Sequence, residues 1–241
     1  MITALFFDMG NTLIDFHQGP SDLEKYDIGL KEMVPILSKK NPNITYEMLK
    51  KEFLPIVEEV FVRRLELEKE IPINEYLDPF LSKFNIKLRD NQKITLLEQF
   101  FSGFIQHIWA DPRIPETFQQ IRRNGIKIAV VSNAWLPQQV YIRIFKLLGL
   151  HQWINRYYFS YSVGASKPDL KIFQYALSTQ RIQPKTTWMI GDNIDKDLAP
   201  CKKLGLTTVW FNPAKSPLPD DKKAYVDHQI DAINKILTFL E

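Results

Sequence analysis

The chain has 241 residues, of which 45% are hydrophobic and 24% are charged, and its formal net charge is +3. These values are typical of a globular protein, so we do not expect disorder. The small positive charge forms no basic stripe interleaved with aromatic residues, so we expect no nucleic-acid partner. The single cysteine, Cys201, excludes an intramolecular disulfide, and no run approaches the ~18 apolar residues of a membrane span, so we expect a cytoplasmic protein without a membrane partner.

The first predicted element is a strand that ends at an acidic residue. Residues 2–7 are mostly apolar, and such a short run is typical of a strand buried on both faces of a parallel sheet. Asp8 follows the run, and Gly10-Asn11 is a pair suited to a tight turn. A carboxylate at this point lies where open α/β sheets bind ligands, although Asp8 by itself is equally consistent with a cap of the turn.

Residues 22–109 have helical periodicity and little indication of strands. Thr45 and Asp90 are predicted to cap helices, Pro55 is predicted to kink or divide one, and residues 66–70 are predicted as an exposed helix end. The predicted helices are residues 23–37, 45–61, 76–84 and 90–108. This region is therefore an all-helical insert placed after the first strand.

From Asp111 onward the sequence alternates between helices and strands, which is typical of βαβ units and a parallel sheet. Further strands are predicted at residues 126–131, 157–159, 187–190 and 207–210. Helices are predicted at residues 116–124, 137–149, 170–179, 198–204 and 231–240. The expected fold class is therefore α/β, with a parallel sheet interrupted by a helical insert.

Four polar residues, each on the carboxyl side of a predicted strand, are expected to converge. They are Asp8, Ser132, Lys167 and Asp192. The carboxyl ends of parallel strands share one edge of a sheet, where ligands bind. Each residue alone has a structural explanation, such as helix capping by Ser132 or a surface position for Lys167. Four such residues at one edge, however, indicate a site.

The chemistry of these residues is coherent. Asp8 and Asp192, with backbone oxygen nearby, offer only oxygen ligands and suit Mg²⁺, and neither His nor Cys is placed to favour zinc. Lys167 brings a positive charge that keeps Asp8 ionised and neutralises a bound anion. Ser132 and the N–H groups after it are donors of the kind that hold phosphate. The set predicts a phosphoryl-transfer pocket with Asp8 as nucleophile.

Four motifs, in this order, resemble those of the haloacid dehalogenase (HAD) superfamily of hydrolases. Residues 7–13 (Phe-Asp-Met-Gly-Asn-Thr-Leu) are similar to its first motif, Asp-x-Asp-x-Thr, and residues 131–133 (Val-Ser-Asn) to the second. Residues 166–168 (Ser-Lys-Pro) are similar to the third motif, and Gly191-Asp192 with Asp197 to the fourth. The resemblance implies a Rossmann-like core of residues 1–14 and 110–241, and residues 15–109 resemble its C1-type helical cap.

The resemblance also implies roles for the matched residues. Asp8 would form an aspartyl-phosphate that water hydrolyses, with Mg²⁺ held by Asp8, the backbone carbonyl of Gly10 and Asp192, and with Asp197 in support. Ser132 and Lys167 would hold the phosphoryl group, and the motif residues Thr12 and Asn133 are expected to bind substrate. The cap would select a small phosphorylated molecule, and nothing in the sequence indicates an oligomeric state.

Gly10 departs from the motif, because phosphatases of the superfamily usually carry there a second Asp that protonates the leaving group. Metal binding is expected to survive, since only the main-chain carbonyl is used. A positioned acid typically contributes about 10²–10⁴-fold. We therefore expect a slow phosphatase, one that favours good leaving groups such as acyl phosphates, or one that takes its acid from elsewhere, with Asp15 and His17 as candidates.

Two alternatives remain at this point. A 2-haloacid dehalogenase also lacks the second Asp, but that branch needs no metal, has Ser where this chain has Asp192, and uses an early cap arginine, whereas the first arginine here is Arg63. A non-catalytic HAD-fold binding or regulatory protein would explain Gly10. The retention of Asp8, Lys167 and Asp192 argues against it, because buried charges are costly without a ligand.

Overall fold

The structure is a computed structural model that describes residues 1–67 and 70–240, without the side chains of residues 65–67. Its contacts divide the chain into two compact units. The first, here called the sheet unit, comprises Met1–Asp15, Ala110–Asn133 and Phe145–Glu241. The second, the helical unit, comprises Phe16–Trp109 and Ala134–Ile144.

The sheet unit is built on a six-stranded parallel sheet. In chain order its strands are β1 (Ala4–Phe7), β2 (Lys127–Ser132), β3 (Arg156–Phe159), β4 (Thr187–Gly191), β5 (Thr207–Phe211) and β6 (His228–Ile230). Their spatial order is β3-β2-β1-β4-β5-β6. In β1, Leu5 pairs with Ile128 on one side and Trp188 on the other, and every β1 residue is buried, as its apolar sequence requires. The α/β fold class predicted from the sequence is confirmed.

The helical unit begins with six helices, counted over residues 16–67 and 70–109. They are α1 (Asp22–Leu37), α2 (Tyr46–Glu52), α3 (Leu54–Leu67), α4 (Asn74–Lys83), α5 (Asp90–Phe100) and α6 (Ser102–Ile105). Thr45 caps α2 as predicted, because its Oγ1 accepts from the N–H of Met48 at 3.2 Å. Pro55 divides the predicted second helix, and it lies in the first turn of α3, where its missing N–H costs no hydrogen bond. Asp90 is the first residue of α5, whereas its N-cap is Arg89.

Two glycines allow a close approach of α1 to the α5–α6 region. A Cβ atom on Gly29 would lie 1.8 Å from the carbonyl oxygen of Phe100. A Cβ atom on Gly103 would lie 2.1 Å from the carbonyl oxygen of Lys25. Only glycine fits at these two positions, because any side chain would overlap backbone atoms of the neighbouring helix.

The predicted exposed helix end at residues 66–70 lies largely outside the described residues. Glu70 is described, and for this residue the prediction of exposure is wrong. Its carboxylate is buried and forms an ion pair with Arg64, whose Nε lies 2.7 Å from Glu70 Oε1. The paired guanidinium is what makes burial of this charge tolerable.

The remaining helices follow residue 110. They are α7 (Ile114–Arg123), α8 (Gln138–Leu147), α9 (Ser160–Val163), α10 (Leu170–Gln180) and α11 (Ala199–Leu204). A π-helical turn, Ile194–Leu198, precedes α11. The predicted last helix is instead a 3₁₀ segment, Ile233–Phe239, in which the buried Ile233 and Ile236 are spaced by three residues, as one face of a 3₁₀ helix requires. None of the helices in the described part of the chain has both the length and the apolar character needed to cross a membrane.

Candidate active site

The predicted site residues of the sheet unit meet at the carboxyl ends of its central strands. Asp8 directly follows β1, Ser132 is the last residue of β2, and Asp192 directly follows β4. The N–H of Asp8 donates to the carbonyl of Ile190 at 2.9 Å, which extends the pairing of β1 with β4 past the strand end. Lys167 reaches the same place from the loop between α9 and α10. The convergence expected from the sequence is therefore present.

The ammonium of Lys167 lies between two buried carboxylates. Nζ donates to Asp8 Oδ1 at 2.5 Å and to Asp197 Oδ1 at 2.6 Å. The hydroxyl of Ser132 donates to the same oxygen of Asp8 at 3.1 Å. Among the described residues no donor reaches Asp8 Oδ2. This second oxygen therefore keeps its lone pairs for a metal or for an electrophile.

Three carboxylates form a compact cluster around this point. Asp8, Asp192 and Asp197 each present one oxygen, and these oxygens lie within 4.8 Å of one another. Burial raises the pKa of the Asp197 carboxyl above its usual value, and the negative charges of Asp8 and Asp192 add to this effect. The pKa of Asp192 is likewise raised, mainly by burial and secondly by the negative charge of Asp8. A crowded, oxygen-only donor set with an excess of negative charge fits a hard divalent cation such as Mg²⁺.

Asp192 is held by two partners. The hydroxyl of Thr12 donates to Asp192 Oδ1 at 3.3 Å and accepts from the Asp192 N–H at 3.2 Å. The indole N–H of Trp210 donates to the carbonyl of Asp192 at 2.9 Å. Thr12, predicted to bind substrate, thus uses its hydroxyl group for two hydrogen bonds with Asp192. Trp210 was not among the predicted site residues, and its place at the site follows from the register of the folded sheet, in which it pairs with Gly191 across the β4–β5 ladder.

Local structure around β4 explains the spacing of the fourth motif. Asp197 lies in the π-helical turn, and its Oδ2 accepts from the N–H of Asn193 at 3.1 Å. A Cβ atom on Gly191 would lie 2.4 Å from Asp197 Oδ2, so the carboxylate occupies the space that glycine leaves free. Asn193 also accepts from the N–H of Lys196 at 3.0 Å through its side chain. Asn193 is therefore a second contributor that the sequence did not single out.

Asn133 does not stand free at the site. Its Nδ2 donates to the carbonyl of Lys167 at 2.9 Å, and its Oδ1 accepts from the N–H of Lys167 at 2.7 Å. The peptide bond between Lys167 and Pro168 is cis. The side chain predicted to bind substrate thus holds the backbone of the lysine that lies against Asp8.

The turn after Asp8 leaves room at Gly10. A Cβ atom built there would meet no atom within 4 Å, and the left-handed residue of this turn is Asn11, with φ 58°. The N–H of Asn11 donates to the carbonyl of Ile14 at 2.9 Å. Glycine is therefore not required by packing at position 10. Of the two candidate acids, Asp15 belongs to the sheet unit and His17 to the helical unit, where its Nδ1 lies 4.0 Å from Asp22 Oδ1.

Comparison with known proteins matches residues 2–205 to the family model of haloacid dehalogenase-like hydrolases. A glyceraldehyde 3-phosphate phosphatase from Methanocaldococcus jannaschii is 23% identical to this chain over 245 residues, covering 100% of this chain and 98% of the relative.

Two solved structures share the fold. A HAD phosphatase from Thermococcus onnurineus has a TM-score of 0.63 at 20% identity and covers 99% of this chain and 98% of its own. A 2-haloacid dehalogenase from Pseudomonas syringae has a TM-score of 0.65 at 19% identity, with coverage of 100% and 98%. At these identities the similarity concerns the fold alone, and it does not distinguish a phosphatase from a dehalogenase.

Proposed function

We propose that this chain, which belongs to the haloacid dehalogenase-like hydrolases, is a Mg²⁺-dependent phosphatase that acts on small phosphorylated metabolites. The observation that carries the proposal is the Lys167 ammonium, which bridges Asp8 and Asp197 while Asp192 offers a third carboxylate within 4.8 Å. A nucleophile, a cation beside it and an oxygen-only cluster are the parts that phosphoryl transfer needs. The phosphatase names of the curated relatives support the same reaction class.

The proposed reaction passes through Asp8. Its free oxygen, Oδ2, attacks phosphorus, the bond from phosphorus to the leaving oxygen breaks, and water later hydrolyses the aspartyl-phosphate. The Lys167 ammonium lies against Asp8 and neutralises charge on the transferred group, and the Ser132 hydroxyl is placed to donate to that group. A bound Mg²⁺, held by Asp8, Asp192 and the carbonyl of Gly10 with Asp197 in support, would stabilise negative charge on the phosphoryl oxygens.

The leaving oxygen needs a proton, and Gly10 supplies none. We therefore propose that the enzyme turns over good leaving groups, such as acyl or p-nitrophenyl phosphates, faster than alkyl phosphates, or that it takes a proton from Asp15, His17 or another group. The relatives named glyceraldehyde 3-phosphate phosphatase make that three-carbon phosphate the first metabolite to test. It is an alkyl ester, so its rapid turnover would point to an acid from elsewhere.

The helical unit is proposed to act as the substrate-selecting cap. This role follows the resemblance of residues 15–109 to a C1-type insert, and it assigns substrate preference to the helical unit and chemistry to the sheet unit. Exchange of aromatic residues in the helical unit is then expected to change the order of preferred substrates while p-nitrophenyl phosphate hydrolysis persists.

The experiment that tests the function is phosphate release with and without Mg²⁺. Purified protein is given p-nitrophenyl phosphate, acetyl phosphate and glyceraldehyde 3-phosphate, with the Asp8→Asn variant as the matched control. We expect Mg²⁺-dependent release by the native protein and a loss of roughly a thousandfold or more in the variant. Equal inactivity of both proteins on a wide phosphate panel would overturn the proposal and favour the non-catalytic alternative.

The dehalogenase alternative is tested in the same preparation. It predicts chloride release from 2-chloropropionate without metal. The third carboxylate of the cluster, Asp192, favours the phosphatase, because a metal-independent displacement has no use for an additional negative charge beside the buried Asp8 and Asp197.

A further inference from the structure

We propose that Asn133 is a positioning residue for Lys167 and that substrate binding is not its role. This inference rests on the proposed function, in which Lys167 acts on Asp8 and on the transferred phosphoryl group. Asn133 directly follows β2, whereas Lys167 lies 34 positions later in the loop between α9 and α10. The Asn133 side chain is thus a link between the end of a central strand and the loop that carries the lysine.

The link uses both hydrogen-bonding ends of one side-chain amide. Nδ2 of Asn133 donates to the Lys167 carbonyl at 2.9 Å, and Oδ1 accepts from the Lys167 N–H at 2.7 Å. A neighbouring strand would satisfy the backbone of a residue with the same donor and acceptor pair. The Asn133 side chain therefore bonds the N–H and the carbonyl of a loop residue in the way that a neighbouring strand bonds a residue in a sheet. These two hydrogen bonds fix both the position and the direction of the Lys167 backbone.

The ammonium of Lys167 has little tolerance for movement. Its Nζ lies 2.5 Å from Asp8 Oδ1 and 2.6 Å from Asp197 Oδ1, and its side chain is 4% exposed. A backbone displacement of about 1 Å would lengthen these contacts beyond hydrogen-bond range, and displacements of that size cost about 10²-fold in rate in other enzymes. Loss of the Asn133 amide is thus expected to act on the rate through Lys167.

The chain contains a matched control for this link. Asn212 directly follows β5, and its amide forms the same pair of hydrogen bonds with Ser216, Nδ2 to the carbonyl at 2.8 Å and Oδ1 from the N–H at 3.1 Å. Neither Asn212 nor Ser216 belongs to the candidate site. The Asn212→Ala variant therefore loses the same two hydrogen bonds at the same edge of the same sheet without touching Lys167.

The test compares Asn133→Ala, Asn133→Ser and Asn212→Ala by hydrogen exchange at single backbone amides, measured by NMR, and by kcat and KM for p-nitrophenyl phosphate. In Asn133→Ala we expect the Lys167 amide to exchange roughly tenfold faster or more, and kcat to fall roughly 10- to 100-fold with KM within about threefold. The shorter side chain of Asn133→Ser carries a single hydroxyl that can bond only one of the two backbone groups, so this variant is expected to lie between. In Asn212→Ala the Ser216 amide exchanges faster and kcat stays within about twofold.

Two outcomes would overturn the inference. One is a raised KM with unchanged kcat and a protected Lys167 amide, which is the result of a direct substrate contact. The other is a kcat that falls without a change in Lys167 exchange. Circular dichroism shows whether each variant is folded. If Asn133→Ala does not fold, the same measurements of kcat, KM and Lys167 exchange on Asn133→Ser decide between the outcomes. If the native protein releases no phosphate, the proposed function fails, whereas the exchange data still show whether Asn133 holds Lys167.

Discussion

Lys167 Nζ lies 2.5 Å from Asp8 Oδ1, and the two side chains are only 4% and 8% exposed. Burial alone lowers the pKa of an ammonium, but the carboxylates of Asp197 and Asp8 outweigh it and raise the pKa of Lys167 above its ordinary value. The lysine is therefore a permanent cation at neutral pH. It therefore compensates the buried carboxylates of Asp8 and Asp197 at once.

The first prediction concerns removal of this cation. Lys167→Met leaves Asp8 and Asp197 buried without an ammonium, so we expect the free energy of unfolding, measured by urea denaturation in EDTA, to fall by about 3–5 kcal/mol. Phosphatase activity is expected to be lost with it, and added Mg²⁺ to restore part of the stability.

The control for this loss is Lys83→Met, which removes an ammonium 2.6 Å from Glu52 in an exposed ion pair. Exposed pairs contribute little, so this variant is expected to unfold at nearly the native urea concentration. Equal stability of the two variants would mean that burial of the Lys167 pair has no energetic consequence.

The second prediction concerns the pH dependence of stability without metal and the way Mg²⁺ changes it. The pKa values of Asp197 and Asp192 are raised in the folded protein. Between the ordinary and the raised pKa values, the folded state therefore binds more protons than the unfolded state. Their contribution to stability is complete below the ordinary aspartate pKa of about 4 and is lost as the pH rises through the raised values. A metal ion requires ionised carboxylate ligands, so if Mg²⁺ binds as proposed, its stabilising effect is expected to grow over the same pH range.

The measurement is the melting temperature against pH in EDTA and in Mg²⁺, for the native protein and for Asp192→Asn. The variant removes one of the titrating groups and is expected to flatten the metal-free slope and to weaken the Mg²⁺ effect. A metal-free difference between native protein and variant that grows in favour of the native protein as pH rises would contradict the prediction.

Residue type and strand position were enough to predict much of the molecule. The strands β1 to β5 follow from apolar runs, and the meeting of Asp8 with Asp192 follows from the shared edge of parallel strands. The strand β6 was missed because His228–Ile230 is short, polar and at the edge of the sheet, so it leaves no apolar run in the sequence.

The partners within the site were not predictable in the same way. Trp210 and Asn193 bond to groups of the fourth motif because of strand register and a π-helical turn, neither of which a single sequence reveals. Asn133 is predicted from its motif to bind substrate, and the motif gives no indication of its two hydrogen bonds with the backbone of Lys167. Motifs indicate which residues gather at a site, but hydrogen-bond partners depend on the path of the backbone.

The third prediction concerns metal affinity through Trp210. Trp210→Phe keeps an aromatic ring but removes the N–H that donates to the Asp192 carbonyl at 2.9 Å. Groups that orient a metal ligand typically contribute about 10- to 100-fold to affinity, so we expect the Mg²⁺ concentration for half-maximal activity to rise roughly tenfold. Isothermal titration with Mg²⁺ gives the same quantity without turnover.

Trp188→Phe is its control, since the Trp188 ring stacks on His228 at a centroid distance of 5.0 Å and takes no part in the carboxylate cluster. A Mg²⁺ requirement that rises equally in both variants would indicate general loosening of the sheet unit.

The fourth prediction concerns the helical unit. Gly29→Ala and Gly103→Ala each place a methyl group within about 2 Å of a carbonyl oxygen of a packed helix, at 1.8 Å and 2.1 Å respectively. Overpacking of this kind costs about 1–3 kcal/mol or more, so both variants are expected to unfold at lower urea concentration. Gly10→Ala is the matched control, because its Cβ atom meets nothing within 4 Å, and it is expected to leave the urea midpoint unchanged. Native midpoints for the two helix variants would mean that α1 can separate from Phe100 and Gly103 at no cost.

The fifth prediction follows from the same open space at Gly10. Gly10→Asp introduces a carboxyl group where the resemblance places the acid that protonates the leaving oxygen, and neither packing nor a left-handed backbone opposes it. We expect turnover of alkyl phosphates to rise by up to about 10²–10⁴-fold, with a much smaller gain for p-nitrophenyl phosphate, whose leaving group needs no proton.

The measurement is kcat/KM over a series of substrates with different leaving groups. The slope of log kcat/KM against the pKa of the leaving group is expected to become shallower in the variant. Gly10→Asn has the same shape without the acid and is expected to keep the native slope. A folded Gly10→Asp variant that binds Mg²⁺ but gains nothing on alkyl phosphates would show that proton donation does not limit this enzyme, because the acid would then be present and the rate unchanged.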